Sequence, residues 1–162
     1  MHWISAILII SMIVTGQSME EAPNNIEKIF NLRIHIMTGL VVAALSIIRI
    51  IQFSSFGKRK MIPAPLDSGS KFSNALKSMV HLVLRNMLIG LSITGVLTMW
   101  LGGYISVALS GDPSDYENTQ QTEVFTAHAV LSKVYLLLFI VHIIGIIRYG
   151  IVKRQNSLSR MI

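Results

Sequence analysis

Five histidines, His2, His35, His81, His128 and His142, are the side chains of this 162-residue chain whose type and spacing suit metal or cofactor chemistry. The chain has no cysteine, which excludes disulfides, iron–sulfur clusters, thiolate nucleophiles and thioether attachment of a haem. No acid–base dyad, phosphate-binding loop or nucleophile constellation accompanies the histidines. His128 and His142 stand fourteen residues apart. At about 100° per residue that spacing returns to within about 40° of the same helical face, about 21 Å further along the axis. Two imidazoles on one face at two depths ask for partners at the same depths on neighbouring elements.

Composition says what those elements are. Hydrophobic residues make up 52% of the chain and charged residues only 14%, with a mean hydropathy of +0.59. Soluble domains carry about 25% charge to cover their surface, so a soluble enzyme or a nucleic-acid-binding domain is excluded despite the net charge of +6. Four apolar stretches run from Trp3 to Thr15, Ile34 to Phe53, Met79 to Leu101 and Val124 to Tyr149. The last three are long enough to cross a hydrocarbon core of about 30 Å. The first is short, because Gly16 and Gln17 follow it. No Lys or Arg precedes it, so it reads as a pinched span, or one beginning upstream of Met1, rather than a signal peptide.

The charges sort by side. The first connection sets Glu20, Glu21 and Glu27 against Lys28 and Arg33; the third holds Asp112, Asp115, Glu117 and Glu123 with no base. The second sets Lys58, Arg59, Lys60, Lys71 and Lys77 against Asp67 alone, and the C-terminal end carries Arg148, Lys153, Arg154 and Arg160. Basic segments stay cytoplasmic, which places both termini inside. Pro63 and Pro65 in the second connection, and the run from Gly111 to Asp115 in the third, mark these segments as simple connectors. The predicted architecture is an all-α membrane protein, an up-down-up-down four-transmembrane-helix bundle forming one domain over residues 1–162, with cofactor sites between facing helices.

With sidedness assigned, His128 lies level with His35 near the outer face, and His142 lies level with His2 and His81 near the inner face. Zinc would need four closely grouped ligands that this sequence does not supply. Haem needs only two axial ligands, because the macrocycle provides the other four nitrogens, so two decks of paired imidazoles read as two bis-His haem sites. Depth alone does not choose between His2 and His81 as the inner partner of His142. Met37 and Met79, next to histidines, read as apolar filler. Arg49 and Arg148 read as inner-face anchors, and Gly39, Gly90, Gly95 and Gly145 as points of close approach between helices or to a macrocycle. Arg85, one turn beyond His81, suits either a haem propionate or snorkelling to the interface, and Lys133 turns away from the histidine stripe. Trp3, Trp100 and Tyr104 suit the interfacial belt.

Several short motifs, in order along nearly the whole chain, resemble the bacterial cytochrome b561 family, which is related to the cytochrome b subunits of nickel–iron hydrogenases. They are His2-Trp3 opening the first span, Ile34-His35 with Gly39 and Arg49, His81-Leu82-Val83, the His128–His142 spacing, and the basic tail Leu158-Ser159-Arg160-Met161. The resemblance implies two haems b in the bacterial inner membrane. His2 and His142 would hold the inner haem, His35 and His128 the outer one, and His81 would match a histidine that is not normally a ligand. It also implies electron transport with ubiquinone or another quinone as partner, and it is compatible with a small periplasmic donor such as superoxide. The alternative is a cytochrome b anchor subunit within a larger dehydrogenase or hydrogenase complex.

Overall fold

The computed structural model describes residues 2–55 and 71–153, with side chains described for 3–52 and 74–151. Most of the basic second connection, including Lys58 to Lys60, Pro63, Pro65 and Asp67, lies outside the described residues, as do Arg154 and the tail to Met161. The side chains of His2, Lys71 and Lys153 also lie outside them.

Helices α1 (His2–Glu21), α2 (Ile26–Ser55), α3 (Lys71–Leu101) and α5 (Glu123–Lys153) form the bundle, and the described residues contain no strand. Each contains an apolar stretch long enough to span a bilayer: Trp3–Glu21, Ile26–Gln52, Asn74–Leu101 and Glu123–Ile151, of 19, 27, 28 and 29 residues. The first span therefore runs past Gly16 and Gln17, where the apolar pattern alone suggested it would end. Large apolar side chains face outward along all four helices; Ile7, Leu137 and Trp100 are 65%, 62% and 71% exposed. In a chain so poor in charge, such faces are solvated by lipid. The protein is an all-α membrane bundle.

α1 packs along α2, α3 packs along α5, and α2 joins the two pairs through α3. A seven-residue step orders the interior. Ile9, Val42, Leu88 and Tyr135 each lie seven residues beyond His2, His35, His81 and His128. Val42, Leu88 and Tyr135 are buried together at mid-bundle, with Ile9, Met12, Leu91 and Phe139 packed against them. Seven more residues reach Gly16, Arg49, Gly95 and His142. Two full turns advance about 10.5 Å and return to nearly the same face. The same seven-residue step thus runs along all four helices, through the apolar layer at mid-bundle.

The third connection is more than a linker. Helix α4 (Tyr104–Ser110) and a 3₁₀ helix (Pro113–Asn118) fold back over the N-terminal end of α2. Val107, fully buried, and Tyr116 pack on Ile29 and Leu32 of α2, forming a second small core. Gly103 and Gly111 flank α4 with φ of 78° and 74°, a left-handed conformation that glycine adopts at little cost. Arg33 donates from Nε to the Ala108 carbonyl at 2.7 Å, and Lys28 lies over the Tyr116 ring, 5.3 Å from its centroid. Asp112 starts the 3₁₀ turn by accepting from the Ser114 amide at 2.9 Å and hydroxyl at 2.8 Å. These contacts hold its carboxyl below the usual carboxylate range. Tyr104 stacks on Phe125 with centroids 5.9 Å apart, so it belongs to this cap, whereas Trp100 is exposed on the bundle surface.

Candidate functional site

His35 on α2 and His128 on α5 meet at the end of the bundle that the charge pattern predicts to be the outer one, ring centroids 6.3 Å apart and planes at 87°. An imidazole nitrogen binds a first-row metal at about 2.0–2.1 Å, so a metal held between two imidazoles puts their centroids roughly 6 Å apart. The observed separation fits that requirement. Among the described residues no third His, Asp or Glu joins the pair as a further metal ligand. The donor set is therefore two imidazoles, which suits a metal whose other positions come from a macrocycle.

Neighbouring helices cradle each ring. His35 Nδ1 lies 3.1 Å from Thr15 Oγ1, and a Cβ on Gly16 would stand 3.5 Å from its Cε1. His128 Nδ1 lies 3.0 Å from Thr94 Oγ1, and a Cβ on Gly95 would stand 3.1 Å from its Cε1. Both threonines give their single hydroxyl proton to their own helix: Thr15 to the Ser11 carbonyl at 2.8 Å, Thr94 to the Gly90 carbonyl at 2.9 Å. A threonine whose proton goes to its own helix accepts from the imidazole; Nδ1 then carries the proton and Nε2 presents the lone pair a metal needs. The Met12 and Leu91 carbonyls also lie within hydrogen-bond reach of the His35 and His128 rings. Thr-Gly on α1 serves the histidine of α2, and Thr-Gly on α3 serves the histidine of α5.

The inner deck is arranged differently. His81 on α3 and His142 on α5 stand edge to face with centroids 5.0 Å apart and planes at 71°, closer than a metal between them would allow. His2 opens α1, and its side chain lies outside the described residues. One turn on, buried Ser5 accepts from Arg49 Nη2 at 2.7 Å. Arg49 is thus turned into the bundle, tying the first turn of α1 to α2, rather than serving only as an inner-face anchor. Lys77 sits over the Tyr149 ring at 4.1 Å from its centroid.

The structure places the other sequence candidates as follows. Met37 and Met79 face lipid, 65% and 56% exposed, away from ligation. Lys133 reaches α1, where its Nζ pairs with Glu20 Oε1 at 2.8 Å. A Cβ on Gly39 would touch Met12, and one on Gly90 or Gly145 would meet open space, so of the four expected positions Gly39 and Gly95 mark close approach between helices. Sequence reasoning missed Thr15, Thr94 and the Gly16 contact. Both threonines precede a glycine, but so does Thr38 on α2, so the dipeptide alone does not mark them.

A family model described as prokaryotic cytochrome b561 matches residues 1–162, the whole chain. No curated protein and no solved structure matches.

Proposed function

The chain belongs to the prokaryotic cytochrome b561 family, and from that premise we propose that it passes electrons across the bacterial inner membrane through two bis-His haems b, exchanging them with a quinone. The coarser statement, a multi-pass bacterial membrane cytochrome b of electron transport, follows from the family and the four apolar helices. The observation that carries the finer one is the outer pair, His35 and His128, with its metal-sized separation. We assign the outer haem to these two residues and the inner haem to His2 and His142, in one domain spanning residues 1–162. The charge asymmetry of the connections supports placing both termini in the cytoplasm.

Bound haem supplies a one-electron couple whose potential responds to ligand basicity, burial and nearby charge. The chain does the rest. Two imidazoles at each site would hold the haem iron and would leave no position for oxygen. The apolar layer of Val42, Leu88 and Tyr135 keeps water from between the decks. The cap of α4 and the 3₁₀ helix covers the N-terminal end of α2, next to His35. The bilayer itself delivers a hydrophobic quinone.

The test is reduction of the purified chain by a quinol analogue, followed in the haem α-band. Reduction by quinol, and reoxidation by quinone, is expected of the isolated chain. A protein that exchanges electrons only when co-purified with a large iron–sulfur subunit would instead be the membrane anchor of a dehydrogenase complex.

A further inference from the structure

We propose that Thr15 and Thr94 are positioning residues that set the potential of the outer haem, each fixing the tautomer of one axial histidine from a neighbouring helix. The inference rests on the assignment of His35 and His128 as the outer ligands. Four observations meet on it. Each threonine hydroxyl lies within hydrogen-bond distance of one Nδ1, at 3.1 Å and 3.0 Å. Each hydroxyl has a carbonyl one turn back on its own helix to take its proton, which frees an oxygen lone pair for a ring N–H. The following glycine, Gly16 or Gly95, lets the ring lie against the helix. The arrangement occurs twice, on α1 for α2 and on α3 for α5, which a chance contact would not reproduce.

A hydrogen-bond acceptor on Nδ1–H raises the electron-donating power of the other ring nitrogen, as outer partners of metal-bound histidine do. A stronger donor favours the more positive ferric iron over the ferrous. Two such acceptors on opposite axial ligands act in the same direction. The threonines therefore hold the outer potential down.

Redox titration of the full-length protein tests this, with the outer component defined as the one that His128→Ala removes. Thr15→Val and Thr94→Val, which keep shape and delete the oxygen, should each raise the outer potential, and the double variant should raise it further. A ten-fold loss of ferric over ferrous preference would appear as about 59 mV for a one-electron couple. The inner potential should not move, and Thr15→Ser and Thr94→Ser should hold the native value. Loss of the outer haem in the valine variants but not in the serine variants would support the same role. An unchanged outer potential in the double valine variant overturns the proposal, as does an equal shift of both haems or serine variants that behave like valine. If His128→Ala removes no haem, the assignment of the outer site itself has failed, a result separate from any threonine effect.

Discussion

The outer and inner decks use the same residue type, on helices of the same bundle, at the same fourteen-residue spacing, yet they are built differently. At the outer deck each imidazole rests in a Thr-Gly cradle, and the two rings stand 6.3 Å apart. At the inner deck His81 and His142 touch edge to face at 5.0 Å, with Arg49 and Ser5 tying α1 to α2 nearby. The difference teaches that equal histidine depth does not mean equal surroundings: at the outer deck a threonine hydroxyl meets each Nδ1 and a glycine lets each ring approach the neighbouring helix.

The largest effects follow from removing ligands. His128→Ala should cost the protein one of two haems and leave the inner one, read as haem per chain by pyridine haemochrome. The inner deck offers the sharper contest. If His2 is the partner of His142, His2→Ala should lose the inner haem while His81→Ala keeps it. The opposite result would give the inner deck the pair that the rings already form.

Within the outer deck, Gly95→Ala and Gly16→Ala should differ. A methyl at Gly95 comes within 3.1 Å of His128 Cε1, tighter than ordinary contact, whereas at Gly16 it meets His35 at 3.5 Å. Gly95→Ala should weaken outer haem retention by about ten-fold, the lower end of what disturbed outer-shell contacts cost. Gly16→Ala should be tolerated, with helix stability raised by about 0.5–1 kcal/mol. Equal losses would show that the two cradles are not distinguished by fit.

Smaller effects lie at the periphery. Burial, with a lesser contribution from Tyr104, pushes the Tyr116 hydroxyl up to about 12. A group raised from an unfolded value of about 10 contributes stability that is full below pH 10 and is lost as pH rises toward 12. Ultraviolet titration should therefore show Tyr116 half ionised only near pH 12, and Tyr116→Phe should take one phenol out of the late component. Lys133→Ala should be smallest: its pair with Glu20 is more than half exposed, so the expected cost is about 0.2–1 kcal/mol. Thermal unfolding of Lys133→Ala, Glu20→Ala and the double variant measures it.

Much of this was legible in the residues. Apolar runs gave four helices because nothing else crosses lipid with its backbone satisfied, and the His128–His142 spacing gave two decks. The exit of α1 was misread because Gly16 looks like a terminator, whereas it lies mid-helix against the His35 ring. The outer connection read as a plain turn because Gly111 to Asp115 dominates its pattern. Val107 and Tyr116 show their purpose only once α2 supplies Ile29 and Leu32 to cover. Arg49 read as an anchor because its partner Ser5 lies forty-four residues away on another helix. Cross-helix hydrogen bonds leave no periodic trace in a sequence, so Thr15 and Thr94 were invisible until α1 met α2 and α3 met α5.

The most direct test of the two-deck account is the haem content of the purified wild-type chain, by dithionite-reduced minus oxidised spectrum and pyridine haemochrome. The account predicts two haems b per chain, with His128→Ala and His142→Ala each removing a different one. A single haem that survives both substitutions, or no haem after expression with ample haem supply, would contradict it.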